Sequence, residues 1–263
     1  MACVMRILVS NDDGVHAPGL LALKRALDPL GEVFVVAPDR PRSAIGHAIT
    51  LHKPLRLTEV RLADGSRAWS TNGTPSDAVG LGFEVAMESR VDLVVAGINE
   101  GANLGWDVTY SGTVAAAMEG VILGAPAMSV SVVGTAPYVL EPAAEFASRL
   151  ARHVLDKGIG SGRLLNVNVP NLPAERIEGV RVTRQGRTEY HDRIQTRTDP
   201  RGRPYYWICG ALNGRGHPPD VDVAAALAGY ITVTPLQLDM TASDLLDEVG
   251  GWSLSVPRPA PSP

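Results

Sequence analysis

Cysteine is scarce: Cys3 and Cys209 are the only two among 263 residues, far apart and outside any CxxC motif. That argues against a disulfide framework and a thiolate zinc site, and we expect ordinary thiols in a reducing compartment. Aromatic residues make up only 5% of the chain, too few for a platform that stacks nucleic-acid bases. Charge of one sign is also missing. With 24 Lys and Arg against 28 Asp and Glu the net charge is −4, which offers no footprint for a nucleic-acid polymer. No apolar run reaches the about 20 residues that span a bilayer, and Met1–Arg6 does not read as a basic, apolar leader. The six histidines never fall at HxxxH spacing, and no GxGxxG opens the first helix, so a zinc-hydrolase site and a dinucleotide fingerprint both lack support. The expectation is a cytoplasmic protein with neither a membrane nor a nucleic-acid partner.

What is present is glycine, 27 residues of it, and an apolar fraction of 45%, enough for a full-sized core. Apolar runs at Ile7–Ser10, Glu32–Ala37, Val91–Ala96, Met128–Val133 and Leu164–Val169 read as buried strands. Helical spacing over Gly19–Leu30 puts Leu20, Leu23, Ala26 and Leu27 on one face. Gly112–Leu123, Glu141–Leu155 and a segment opening after Thr74-Pro75 also read as helices. Ile49–Leu57 and Arg67–Thr71 look extended around the turn Asp64-Gly65. This rhythm predicts an α/β, Rossmann-like fold: a mostly parallel sheet with helices on both faces.

The pattern loosens after Asn171. Val180–Gln185 and Tyr205–Cys209 read as strands around the charged stretch Thr188–Arg203, which suits a long β-hairpin arm. Val221–Ala228 reads as a short helix and Tyr230–Thr234 as a last strand. We expect a single domain over residues 1–250, with its core at about 5–175 and a C-terminal extension at about 176–250, and a disordered tail at 251–263. Arg184, Arg187, Arg193, Arg197, Arg201 and Arg203 are interleaved with Glu189, Asp192 and Asp199, so they read as a solvated arm or subunit contact. Trp69, Trp106, Trp207 and Trp252 read as core or interface aromatics.

The chemistry-bearing residues sit in four loops that follow strands. The first is Asn11-Asp12-Asp13-Gly14; the second runs from Pro38 to His47 and carries Ser43 among basic residues; the third is Gly97–Gly105, with Asn99 and Asn103; the fourth, Tyr110-Ser111-Gly112-Thr113, opens a helix. Ligands bind at the carboxyl ends of strands in such sheets. If the loops converge, Asp12, Asp13, Ser43 and Asn99 supply an all-oxygen shell suited to a hard divalent cation such as Mg²⁺ or Mn²⁺. The helix start at Ser111 then supplies backbone N–H groups for a phosphate. Each loop also has a plainer reading. Adjacent aspartates are common in turns and caps, Asn99 can simply tolerate left-handed backbone, Ser43 can be a solvated hydroxyl and Ser111 an N-cap. His16 and His47 lie close enough to the loops to touch a substrate.

Taken together these segments resemble the SurE family, the stationary-phase survival proteins. The matching text is Ile7–Gly14, Val35–Pro38 with Ser43 downstream, Asn72–Asp77, Asp92–Asn103, Tyr110–Gly120, Leu165–Pro170 and Ile231–Leu236, spanning about residues 5 to 250. One departure is that Ala44-Ile45-Gly46 follows the serine where the family usually has glycine at once.

The resemblance implies a metal-dependent 5′-nucleotidase, with one divalent ion per subunit on the residues matching Asp12, Asp13, Ser43 and Asn99. It also implies a C-terminal extension that exchanges elements in a homodimer or homotetramer. Nucleoside 5′-monophosphates are the implied substrates, with 3′-nucleotides and short polyphosphate as further ones. In that reading a metal-activated water attacks phosphorus, while Ser111, Gly112, Thr113 and Asn103 hold the phosphoryl oxygens. Two alternatives remain: a non-catalytic nucleotide sensor, and a phosphatase forming an aspartyl-phosphate. The second usually carries DxD after its first strand, whereas Asp12 and Asp13 are adjacent.

Overall fold

The computed structural model describes residues 4–188, 190–191, 194–208, 211–212, 216–254 and 256. Cys3, Glu189, Asp192, Arg193, Cys209 and most of the expected tail lie outside them. In chain order the first part holds β1 (Arg6–Ser10), α1 (Pro18–Leu27), β2 (Glu32–Pro38), β3 (Leu57–Arg61), β4 (Arg67–Thr71), α2 (Pro75–Leu81), β5 (Leu93–Glu100), α3 (Gly112–Ile122), β6 (Ala127–Val133), α4 (Glu141–Lys157) and β7 (Arg163–Pro170). The second holds β8 (Gly179–Val182), β9 (Tyr190–His191), β10 (Ile194–Thr198), β11 (Pro204–Ile208), β12 (Ala211–Leu212), α5 (Asp222–Leu227), β13 (Tyr230–Gln237) and α6 (Leu246–Gly250).

Nine strands form one sheet in the order β3-β4-β2-β1-β5-β6-β7-β13-β8. The ladders from β4 through β2, β1, β5 and β6 to β7 are all parallel, while β3 on β4 and β13 on β7 are antiparallel. The expected α/β architecture is therefore present. Consecutive residues of β1 feed opposite faces, which is why its apolar run is unbroken. Ile7 and Val9 join Leu20, Leu23 and Leu27 of α1 and Phe146, Ala147 and Ala151 of α4 on one side. Leu8 joins Ala78 and Val79 of α2 and Val114, Ala117 and Val121 of α3 on the other. Helix α2 starts as the Thr74-Pro75 signal predicts, with a capping box in which Thr74 and Asp77 each accept the other's backbone N–H.

Several boundaries differ from the sequence reading: α1 stops at Leu27 rather than Leu30, β8 at Val182 rather than Gln185, and three others differ more. The extended segment expected at Ile49–Leu57 is instead an irregular loop, and β3 begins where it was to end. Ile49 and Leu51 are exposed, and the loop is held by side chains: Asp77 accepts the Thr50 N–H at 3.0 Å and Asn72 the Arg56 N–H at 2.9 Å. Strand β5 does not stop at Ala96 but runs on to Glu100 through a register shift against β6 between Ala96 and Asn99. Gly97 makes this passage at φ 138°, where a Cβ would fall 2.4 Å from the Val130 carbonyl oxygen. Strand β13 continues through Pro235, which pairs with Leu165 of β7. The β8 ladder ends at Val233, so beyond it a residue without an N–H leaves no partner on that side unsatisfied.

The charged stretch forms the expected arm. β10 and β11 pair antiparallel from Ile194↔Ile208 to Thr198↔Pro204, and β9 and β12 extend the pairing. Its described side chains are open to solvent, among them Ile194, Tyr206, Trp207 and Ile208. Of the four tryptophans only Trp69 packs inward, stacked on Phe34 at 6.1 Å. Trp106, Trp207 and Trp252 are more than half exposed in the single chain, so for them the core part of the expectation does not hold. They sit on a one-turn helix, the arm and the tail, none of which the sheet covers. Among the described residues no helix is long and apolar enough to cross a membrane.

Candidate functional site

Strand β1 has β2 on one side and β5 on the other, so the strand order reverses there and the connecting loops part to leave a crevice. Asn11 closes the turn after β1: its Oδ1 accepts the Gly14 N–H and its Nδ2 donates to the Gly14 oxygen, both at 3.1 Å. This buried staple aims Asp12 and Asp13 at the crevice. The Asp12 carbonyl accepts the Arg42 N–H at 2.7 Å, which draws the Ser43 loop over the same point, and Tyr110 anchors that loop further along by accepting the Gly46 N–H at 2.9 Å. From β5, the Glu100 N–H donates to Asp13 Oδ2 at 3.3 Å.

A cavity of about 230 Å³ results, lined by Asp12, Asp13, Ser43, Asn99, Asn103 and Ser111 together with Ala44, Glu100, Asp107 and Tyr110. Six of the eight residues singled out in the sequence thus share one wall. Gly112 and Thr113 do not line it; they stand behind Asp12. Gly112 approaches so closely that a Cβ would lie 2.8 Å from that of Asp12, and the fully buried Thr113 hydroxyl donates to Asp12 Oδ1. Thr113 therefore orients a carboxylate, a role with no sign in the sequence. The donors of the α3 start are also partly committed. Ser111 donates its N–H to Asp107 and its hydroxyl accepts from Val114, both at 3.1 Å, so its N-cap reading holds beside its place in the cavity. His16 and His47 do not line the cavity; His47 pairs with Glu119 at 2.8 Å.

Asn103 reaches the wall because a polar net holds it. Its N–H donates to Asn168 Oδ1 at 2.8 Å, its carbonyl accepts from Asn166 and Asn168, and its Nδ2 donates to Ser131 at 2.8 Å. The Leu165–Pro170 text owes its asparagines to this role: alternate residues of β7 turn to one face and grip a loop sixty-odd positions away.

The electrostatics are lopsided. Four carboxyl groups line the cavity and none of its lining residues is basic. Asp12, only 4% exposed, has its carboxyl pushed up to about 6 by burial and by the charge of Asp13, against the opposing hydrogen bond from Thr113. Burial also raises Asp13, against the Glu100 N–H, and raises Glu100, with the Asp13 charge adding to the effect. Tyr138, whose hydroxyl donates to the Glu100 carbonyl at 3.1 Å, is raised by burial and then by both carboxylates.

These are the marks of a site short of positive charge, and the donors suit a hard cation. Asn99 donates its Nδ2 to the Gly101 carbonyl at 2.8 Å, which leaves the carboxamide oxygen as the free end. Among the described residues no three His, Cys, Asp or Glu side chains gather as a metal cluster, so two carboxylates with a carboxamide and a hydroxyl are the donors on offer.

Comparison with known proteins gives the family. The family model described as Survival protein SurE matches residues 7–192. The chain belongs to the SurE family. Two relatives called 5′-nucleotidase SurE show how evenly the likeness extends over this family member. That of Heliobacterium modesticaldum is 48% identical over 251 residues, covering 94% of this chain and 92% of its own. That of Herpetosiphon aurantiacus is 52% identical over 243 residues, covering 91% and 95%. A crystal structure of the SurE protein from Aquifex aeolicus superposes with a TM-score of 0.83 at 43% identity, covering 93% of this chain and 98% of that one.

Proposed function

We propose that this SurE-family chain is a cytoplasmic, metal-dependent 5′-nucleotidase that releases phosphate from nucleoside 5′-monophosphates, with 3′-nucleotides and short polyphosphate as secondary substrates. The observation that carries the reading is the cavity itself, where four oxygen donors meet beside a helix start in a negative field with no basic residue in the lining. A phosphate dianion could not enter such a field without a cation.

Asp12, Asp13, Ser43 and Asn99 would hold one Mg²⁺ or Mn²⁺, which when bound supplies an acidified water and offsets charge on the phosphoryl group. The rest is the work of the chain. Thr113 fixes the plane of the Asp12 carboxylate, so that its second oxygen keeps one direction. A carboxylate oxygen of the Asp12–Asp13 pair not engaged by the ion accepts the proton of the attacking water. Asn103 and the Ser111 hydroxyl, held in the cavity wall by their own hydrogen bonds, meet the phosphoryl oxygens and need no reorganisation as charge shifts to the leaving oxygen. The arm and the rest of residues 176–250 serve assembly into a homodimer or homotetramer.

The test is a phosphate-release screen over nucleoside monophosphates, polyphosphate and sugar phosphates, run with EDTA and with each metal restored. Release from AMP that EDTA abolishes and Mn²⁺ or Mg²⁺ restores is the expected result. Binding of AMP without release at any metal concentration would overturn it in favour of a nucleotide sensor.

A further inference from the structure

One fully buried carboxylate has no part in the mechanism above. Asp222, the first residue of α5, is 0% exposed, and its two oxygens accept three backbone N–H groups, each at 2.8 Å. Oδ1 takes Val223 and Gly186; Oδ2 takes Gly105. Only the first of these belongs to the start of its own helix. The other two join segments 36 and 117 positions away. Gly186 lies at the root of the arm, and Gly105 opens the single turn Gly105–Thr109 that carries Asp107 to the cavity.

Three further contacts cross the same seam. Gln185 Nε2 donates to the Gly105 carbonyl at 2.8 Å, the Thr188 hydroxyl donates to the cavity carboxylate Asp107 at 3.0 Å, and the Arg187 guanidinium lies 4.9 Å from the Trp106 ring centre. The cavity wall then depends on Asp107, since its carbonyl accepts the N–H groups of Tyr110 and Ser111 at 2.9 and 3.1 Å.

We propose that Asp222 is a positioning residue, clasping the root of the arm to the turn Gly105–Thr109 so that the phosphate wall ending at Ser111 is held by the arm. Asp222 does not cap α5, whose N-cap residue Val221 has no side-chain cap bond; the Gly105 and Gly186 bonds instead tie two distant segments together. An anionic acceptor shared by three N–H groups is stronger than neutral bonds and has no substitute once removed. The inference rests on the nucleotidase reading only for its kinetic readout.

The experiment measures hydrogen exchange of the full chain alongside AMP hydrolysis with saturating Mn²⁺, for wild type, Asp222→Asn and Thr188→Val. In Asp222→Asn one oxygen becomes an NH₂ group facing a backbone N–H. Exchange should then accelerate about tenfold or more at Gly105–Ser111 while β1 and β5 keep their protection. The KM for AMP should rise by a similar factor, with the half-saturating Mn²⁺ concentration unchanged. Thr188→Val, which leaves the clasp but removes the Thr188 bond to Asp107, should do the same on a scale of about threefold, and it decides the matter if Asp222→Asn does not fold. Unchanged exchange at Gly105–Ser111, or exchange that rises equally throughout the sheet, would overturn the proposal. Absence of phosphate release from the wild type would instead sink the nucleotidase reading and leave the exchange result standing.

Discussion

The crevice at the end of β1 and the hairpin arm solve opposite problems. The crevice buries carboxylates with no basic residue in its lining: Asp12 is nearly inaccessible and its carboxyl is driven up to about 6. The arm exposes apolar side chains without covering them, with Ile194 63% and Ile208 78% open in the single chain. Each region is incomplete in its own currency, one lacking positive charge and the other lacking contact. Sites that bind must keep something unsatisfied, and the kind of deficit names the kind of ligand. On the proposed reading a cation would complete the first, and an apolar surface such as a second copy of the chain would complete the second.

The sharpest way to break this contrast is to remove charge from the crevice. Asp12→Asn or Asp13→Asn should lower phosphate release by roughly 10³-fold or more with the circular dichroism spectrum unchanged. Retained activity would mean that the pair does not hold the ion.

The next effect concerns stability. A carboxyl raised from 3.8 to about 6 on folding contributes stability that is fully present below the unfolded value and lost as the pH rises through the folded one. The metal-free protein should therefore weaken between pH 4 and 6.5 on this account, and Asp13 and Glu100 shift in the same direction. Asp12→Asn escapes the penalty, so at pH 7 without metal it should be more stable than wild type by up to about 3 kcal/mol. Urea titrations at the two pH values check it, and a less stable variant at pH 7 would contradict the burial argument.

A smaller effect isolates Thr113. Thr113→Val removes the hydroxyl that donates to Asp12, so the Asp12 pKa should climb further. The acid limb of the pH–rate profile should move up, with a loss of about tenfold at neutral pH. A profile that falls without shifting would assign Thr113 to packing alone. Least is expected on the arm, where Tyr206→Ser with Ile208→Ser should change single-chain stability by within about 0.5 kcal/mol. A loss several times larger, tied to a change in sedimentation, would show the arm face already covered by another copy.

Much of this was legible in the sequence because it is local. Strand runs, helix caps and the Thr74–Asp77 box each act within a few residues, and their elements appear at or near the expected places. The candidate residues were legible because the ends of β1, β2 and β5 lie side by side, as strand ends do where a sheet is doubly wound. What escaped is long-range. Nothing in Gly97-Ile98-Asn99 announces that β5 resumes after a register shift. Thr113 looked like one more phosphate donor until the packing set it on Asp12. Asn166, Asn168 and Asp222 have roles that depend wholly on loops far along the chain. Periodicity carries no trace of such partnerships.

Gly112 has a consequence for anyone who would redesign this protein. A Cβ added there would lie 2.8 Å from the Cβ of Asp12 and 3.1 Å from the Pro75 ring, so a larger residue behind Asp12 would displace that carboxylate. Variation for new substrates has to come from the mouth of the crevice, where Ala44 and the half-exposed Tyr110 leave room. A library built on those two positions would sample leaving groups while the phosphoryl end stays as it is.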